Sequence, residues 1–120
     1  MKQLDKETLQ TLTKFRKIFE IFRMLNSDMT IGECIALVEI AKGMTDTGGG
    51  LTVTELSNEC GFPLSSTSRY TIKLAGKVKP EDIDSALISN HRDPMDDRRK
   101  ELRLTPRGKL VLDQIIHLIK

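Results

Sequence analysis

The sequence predicts a mainly helical α+β fold in which two short helices joined by a tight turn are followed by a β-hairpin. Residues 52–76 have the pattern of a short helix, a glycine and a second helix rich in serine and threonine. Residues 86–105 contain two short apolar stretches joined by a charged, proline-containing segment, as in a hairpin of half-buried strands. Apolar residues recur at helical spacing in 4–25 and again in 106–120, which predicts a helix at each end of the chain.

The first predicted helix covers residues 4–25. From Leu12 onward its apolar residues follow one another at spacings of 3, 3, 1, 3 and 3, which is one stripe of an amphipathic helix. Three of the four phenylalanines lie on this stripe, so we expect the rest of the domain or a second subunit to cover it. Thr30 and Glu33 have capping-box spacing, which predicts a second helix ending at about Lys42.

The helix-turn-helix is predicted from its end signals. Thr52 and Glu55 repeat the capping-box spacing, and Gly61 permits the left-handed backbone that ends a helix. Pro63 suits the start of the next helix, which we expect to run from about residue 64 to 76. The inward positions of that helix are predicted to be Thr67, Tyr70 or Thr71, and Leu74.

The outward side of this second motif helix is hydroxylated and basic. Short hydroxyl side chains let the backbone approach the major groove of a DNA duplex closely, and Arg69 and Lys73 can reach phosphates or base edges. The alternative is an ordinary surface helix rich in serine and threonine. The predicted DNA-binding residues of the helix are Ser65, Ser66, Ser68, Arg69 and Lys73.

The hairpin is expected to carry a second DNA-binding surface. Its strands are predicted at residues 87–89 and 101–104, with residues 90–100 as the connecting turn. A basic tip suits the minor groove, where negative potential attracts arginine; the alternative is a solvated hairpin. Asp96 is expected to pair with Arg98 and hold the tip in shape. The basic residues of the turn are Arg92, Arg98, Arg99 and Lys100, of which the three arginines are predicted to contact DNA.

The distribution of charge is consistent with a nucleic-acid partner but does not require one, since a solvated surface that is unevenly charged by chance would show the same excess. Residues 65–120 hold 12 Lys and Arg against 8 Asp and Glu, whereas residues 1–64 hold 7 against 9. Basic charge is therefore concentrated where the motif helix and the hairpin lie. No apolar run reaches the roughly 18 residues that span a bilayer, and the polar N-terminus does not resemble a signal peptide. We therefore expect a cytoplasmic protein with no membrane partner.

The sequence offers no pattern typical of an enzyme or a metal site. His91 and His117 have no paired nucleophile or second ligand nearby, and Cys34 and Cys60 form no metal-spaced cluster. The glycine-rich run 43–50 lacks the Gly-Lys-Ser/Thr of a phosphate-binding loop and is interpreted as a flexible connector. A redox-sensing Cys60 would need an exposed thiol of low pKa; semi-buried packing is the preferred interpretation for both cysteines. No catalytic activity, metal or cofactor is therefore predicted.

The C-terminal segment is predicted to be a helix and half of a dimer interface. Thr105 and Pro106 provide a cap followed by a proline at the first helical position. The apolar face that follows is broad for a helix of this length. We therefore expect it to pack beside the helix of residues 4–25 and to join a second copy of the chain, giving a winged helix-turn-helix with N- and C-terminal dimerisation helices.

These residues resemble a known family. The run from Asp96 to Gly108 is similar to the wing and following helix of the multiple-antibiotic-resistance-regulator (MarR) family, whose pattern is Asp-x-Arg, a strand, Leu-Thr, two residues and Gly. Residues 55–74 resemble its helix-turn-helix. The resemblance implies a homodimeric repressor or activator that binds pseudo-palindromic DNA, in many cases released by a small ligand or an oxidant. It also implies recognition-helix contacts from Ser65, Ser66, Ser68 and Arg69, and a minor-groove contact from Arg98 braced by Asp96.

Two features depart from the family pattern. An insertion at residues 77–85 separates the recognition helix from the wing, and Pro80 with the acidic residues behind it suggests an extra short helix. The chain ends at Lys120, where family members generally continue into further C-terminal helix, so dimerisation is expected to depend on the two terminal segments. A conventional pocket for a small-molecule effector is not expected, and the effector, if any, is unknown.

Three functions are compatible with the sequence. The leading prediction is a homodimeric, sequence-specific transcriptional regulator that binds double-stranded DNA, with its recognition helix in the major groove and its wing in the minor groove. The alternative is a plasmid- or phage-type partition or replication protein that coats repeated DNA sites. The third is a winged helix that binds only protein, whose signature would be binding that persists at high salt.

Overall fold

The computed structural model describes residues 3–44, 49–76, 85–93 and 95–120, apart from the side chains of residues 93, 96 and 97. Most of the 77–85 insertion, including the helix predicted from Pro80, and the side chain of the predicted brace Asp96 lie outside this description. Within the described residues, no helix is long and apolar enough to cross a membrane. The elements in chain order are α1 (Lys6–Leu25), α2 (Ile31–Gly43), α3 (Val53–Cys60), α4 (Leu64–Leu74), β1 (Ile88–Asp93), β2 (Asp96–Leu104) and α5 (Pro106–Ile119).

The helix ends follow the local signals in the sequence. At the start of α3 the Thr52 side chain accepts from the Glu55 N–H and the Glu55 carboxylate accepts from the Thr52 N–H, a complete capping box. Gly61 ends α3 in the left-handed conformation, with φ 71°. Pro63 stands at the N-cap of α4, where the start of that helix was predicted. Thr105 caps α5 by accepting from the Gly108 N–H.

The wing is longer than the sequence predicts. β1 and β2 pair antiparallel from Ile88–Leu104 out to Arg92–Lys100, so the predicted eleven-residue turn at 90–100 is wrong. The prediction followed apolar side chains, which stop near the base of the hairpin, whereas the ladder is built from backbone hydrogen bonds that polar residues also make. On the other edge of β2, Leu51 forms an isolated antiparallel bridge with Leu102. The wing is therefore joined to the segment that precedes α3.

The core lies between α2, α3, α4, α5 and the base of the wing. Its fully buried members include Leu37 and Ile40 of α2, Leu56 of α3 and Leu102 of β2. Residues from both halves of the helix-turn-helix and from the wing thus share one apolar cluster, which fixes the wing base relative to the two motif helices.

The helix α1 extends away from this core. Each residue from Lys6 to Lys17 is exposed, and only Phe22 near its C-terminal end is buried. The chain measures 56 × 31 × 27 Å, and its radius of gyration of 16.0 Å exceeds the roughly 14 Å expected for a compact chain of this length. About half of the predicted apolar stripe of α1, including Leu12, Phe15 and Phe19, is therefore left uncovered within one chain.

Candidate nucleic-acid interface

Two buried threonines lie on the inward side of α4, and the hydroxyl group of each donates a hydrogen bond to a nearby backbone carbonyl. Thr67 is fully buried and donates to the Pro63 carbonyl at 3.0 Å. Thr71 is also buried and donates to the Ser68 carbonyl at 2.9 Å. Since both hydroxyl groups have local acceptors, they can pack against the core without an unpaired polar atom. These contacts decide which side of α4 faces outward.

The outward side of α4 presents Ser65 and Arg69, which are one turn apart and both exposed. The predicted contacts Ser66 and Ser68 are only partly buried. Arg69 Nη2 lies 3.5 Å from Ser66 Oγ, at the far limit of a hydrogen bond, so this contact holds the guanidinium only weakly. The first two turns of α4 therefore combine small hydroxyl groups with a weakly held arginine.

Lys73, also predicted to contact DNA, has a partner inside the protein. Its Nζ lies 3.0 Å from Oε1 of Glu33, a fully buried carboxylate of α2, although the geometry is not that of a hydrogen bond. The Lys73 side chain is itself exposed. A buried carboxylate without a cation beside it would be costly, so Lys73 links the last turn of α4 to α2.

One face of the wing tip is basic. Arg92 and Lys100 lie directly opposite each other in the ladder, and Arg98 is two residues from Lys100 on the same strand, so the three side chains share a face. All three are exposed. The three basic side chains therefore lie together on one face of the wing.

The opposite face of the wing places Arg99 in a network of acceptors. Its guanidinium donates to both oxygens of Glu55, at 2.7 Å to Oε1 and 3.3 Å to Oε2, and to the Gly50 carbonyl at 3.1 Å. Its Nε donates to Glu101 Oε1 at 2.9 Å. Hydrogen bonds from Arg99 and from the Thr52 backbone hold the pKa of Glu55 below its usual range. Arg99, which we predicted to contact DNA, therefore links the wing to α3.

Two further donors of β2 bind the segment before α3. The Leu102 N–H donates to the Leu51 carbonyl at 2.7 Å, and Arg103 Nη1 donates to the Gly49 carbonyl at 2.7 Å. This seam was not predicted, because its partners are about fifty residues apart in the sequence. No periodicity or local motif signals such a pair.

The described residues contain no group of three side chains that could hold a metal ion. Both cysteines are partly buried. Burial, with the neighbouring Glu33 carboxylate, raises the pKa of the Cys34 thiol to about 11. Burial also raises the pKa of the Cys60 thiol. Neither is therefore the low-pKa thiolate that redox sensing needs.

A helix-turn-helix whose second helix faces outward, followed by an antiparallel hairpin joined to its core, is a winged helix-turn-helix. The fold class predicted from the sequence is therefore confirmed. No family model and no curated protein matches the sequence.

Solved structures that include MarR and MepR share this fold. A mutant of S. aureus MepR bound to an oligodeoxyribonucleotide superimposes with a TM-score of 0.67 at 18% identity, over 98% of this chain and 78% of that chain. RV1404 from Mycobacterium tuberculosis gives a TM-score of 0.59 at 21% identity, over 98% of this chain and 76% of that chain. A mutant of E. coli MarR gives a TM-score of 0.58 at 19% identity, over 99% of this chain and 79% of that chain. The chain thus has the MarR-like winged helix fold.

Proposed function

We propose that this chain is a sequence-specific transcriptional regulator that binds double-stranded DNA as a homodimer. The observation that carries the proposal is the basic face of the wing tip, where Arg92 and Lys100 oppose each other and Arg98 lies beside them. Phosphates of a duplex would supply the charge opposite to this group of cations. The minor groove offers that potential to an inserted arginine.

The recognition helix supplies the second contact. Ser65 and Arg69 are exposed on the outward side of α4, next to Ser66 and Ser68, and small residues at the start of a recognition helix allow it to enter the major groove closely. In this proposal Arg69 reads base edges, Arg98 enters the minor groove and Arg92 contacts phosphate. The similarity to MepR structures solved with DNA supports the same arrangement by analogy of fold.

The homodimer is proposed from apolar surface that one chain leaves uncovered. Contiguous exposed apolar patches of this kind mark interaction surfaces. A crevice of about 330 Å³ between α1 and α5, lined by Leu12, Phe15, Ile18 and Ile119 among others, is nearly all apolar, and a second copy would fill it. The exposed apolar residues of the two helices are Leu9, Leu12, Phe15, Phe19 and Met24 of α1, and Leu110, Ile116 and Ile119 of α5.

The DNA contacts are tested by titrating labelled duplexes at several salt concentrations. Arg98→Ala is expected to weaken binding to cognate and scrambled duplexes alike and to reduce the salt slope by about 1. Arg69→Ala is expected to reduce the preference for the cognate duplex by about 1–3 kcal/mol. Arg16→Ala, which removes the same charge from the exposed part of α1, is the matched control. Unchanged binding by both Arg98→Ala and Arg69→Ala would refute the proposed contacts.

The dimer is tested with a charge placed in the uncovered stripe. Phe15→Glu is expected to convert the dimer to monomer in sedimentation equilibrium and to abolish tight binding to a two-half-site duplex, because Phe15 is 58% exposed within one chain and lines the apolar crevice. Gln10→Glu adds the same charge to the same helix at an exposed polar position and is expected to leave the dimer intact. A monomeric wild-type chain, or a dimer unaffected by Phe15→Glu, would contradict the proposal.

A further inference from the structure

We propose that Arg99 is a positioning residue that clamps the base of the wing to α3 and thereby directs Arg98 towards the DNA. The inference rests on the proposed function, since it explains how the wing reaches its groove. It gives Arg99 a role different from the direct DNA contact that the basic tip suggested.

The clamp joins three segments through one guanidinium. Arg99 binds the loop before α3 through Gly50, the first turn of α3 through Glu55, and its own strand through Glu101. The bidentate contact with Glu55 uses the fork of the guanidinium, which a lysine cannot reproduce. Glu55 in turn closes the capping box of α3. One side chain thus connects the wing directly to the start of the helix-turn-helix.

The charges disfavour release of Arg99 to a phosphate. Glu101 is only 8% exposed and has Arg99 as its ion-pair partner at 2.9 Å. Moving the guanidinium to DNA would leave this carboxylate with its charge uncompensated, close to a polyanion. Breaking such a pair by removing one partner is strongly destabilising. Two carboxylates therefore hold the Arg99 guanidinium inside the protein. A direct contact with DNA would require it to leave both of them.

The clamp also sets the direction of its neighbour. Successive side chains of a strand point to opposite faces, so fixing Arg99 against α3 turns Arg98 to the face that also carries Arg92 and Lys100. The bonds of Leu102 and Arg103 to residues 49–51 hold the same edge of β2 further down. Among the described contacts, Arg99 is the outermost of these three attachments and thus the one nearest the tip.

The test compares Arg99→Lys, Arg99→Ala and Glu55→Gln on a cognate duplex, by affinity and by hydroxyl-radical protection at each nucleotide. A positioning role predicts that both Arg99 variants bind about tenfold more weakly and lose protection in the minor groove while keeping it in the major groove. In Glu55→Gln the side-chain oxygen can still accept from the Thr52 N–H, and the charge of Arg99 is unchanged. This variant is expected to bind DNA more weakly as well. The double variant Glu55→Gln/Arg99→Ala is expected to bind no more weakly than Arg99→Ala alone.

A direct contact would give the opposite results. Arg99→Lys would then bind nearly as well as wild type because its charge remains, and Glu55→Gln would bind more tightly because a competing carboxylate is removed. Either result overturns the inference while leaving the proposed function intact. Absence of DNA binding by the wild-type chain would instead overturn the proposed function and this inference with it.

A DNA-free measurement separates the clamp from general loss of folding. Hydrogen exchange of the Leu102 amide, which donates across the seam to Leu51, is expected to accelerate in Arg99→Ala while the amides of α2 and α5 keep their wild-type protection. Thr52→Ala, which removes the cap of α3 without removing any acceptor of Arg99, is the matched control. Unchanged exchange at Leu102 in Arg99→Ala would contradict a clamp at the wing base.

Discussion

Gly108→Ala is expected to destabilise the protein because a methyl group at this position meets backbone. Gly108 lies in the first turn of α5, and a Cβ there would overlap the carbonyl oxygen of Leu87, well inside the roughly 3.3 Å at which carbon and oxygen normally meet. It would also lie 3.2 Å from the Leu87 carbonyl carbon and 3.3 Å from Leu104 Cδ2. Rotation of a side chain cannot relieve the main overlap, so α5 or the residue before β1 must shift.

The size of the effect follows from the contacts that would change. Overpacking of a core site costs about 1–3 kcal/mol, and a shifted Leu87 carbonyl would lose its hydrogen bond from the Thr105 N–H, now 3.0 Å long, at about 1 kcal/mol. Alanine recovers about 1 kcal/mol through its better helix propensity. The expected net loss is about 1–3 kcal/mol in the free energy of unfolding.

Urea denaturation followed by circular dichroism measures this loss. Wild type and variants are compared at one protomer concentration, because association would otherwise shift the midpoint. Lys109→Ala, at an exposed neighbouring position, is the control and is expected to stay within about 0.5 kcal/mol of wild type. A Gly108→Ala variant as stable as wild type would refute the contact on which the argument depends.

Three further predictions follow from the same structure. Leu102→Ala should lower the free energy of unfolding by about 2–5 kcal/mol, since Leu102 is completely buried where the wing meets the core; a loss below 1 kcal/mol in urea denaturation would contradict that burial. The lowered pKa of Glu55 means that its stabilising contribution is present above its unfolded pKa and is lost as pH falls through the lower folded value. Glu55→Gln should therefore weaken the fall of the free energy of unfolding at acidic pH. The change should be less than about 1 kcal/mol, because the Arg99–Glu55 pair is partly exposed. An unchanged acidic fall would contradict the pairing. In a Cys60→Ser background at pH 8, Cys34 should react with a thiol reagent about a hundredfold more slowly in the native state than in urea, because its raised pKa of about 11 reduces the thiolate; equal rates would contradict its burial.

Local signals explain why most of the fold was predictable. Thr52, Glu55 and Gly61 lie within ten residues of one another. Thr52 and Glu55 cap the start of α3 by bonding each other's backbone N–H, and Gly61 ends the helix through its own backbone conformation. The start of α5 at Thr105 and Pro106 is local in the same sense. Such signals do not depend on the rest of the structure, so the sequence is sufficient to place helix ends.

The unforeseen features depend on distant partners. The ion pair between Arg99 and Glu55 crosses 44 residues, and that between Lys73 and Glu33 joins two helices far apart in the chain. A cluster of arginines looks equally basic in sequence whether its members face solvent or a carboxylate. Only the observed extent of β2, which begins before Arg98 rather than at residue 101, shows that Arg98 and Arg99 are strand neighbours and so point to opposite faces.

Selection of bound duplexes from a random DNA library, at about 100 mM salt so that phosphate contacts persist, tests the central claim most directly. A dimeric regulator of this fold is expected to enrich a single pseudo-palindrome whose half-sites lie about one helical turn apart. Enrichment of tandem direct repeats, or of no sequence at all, would contradict it.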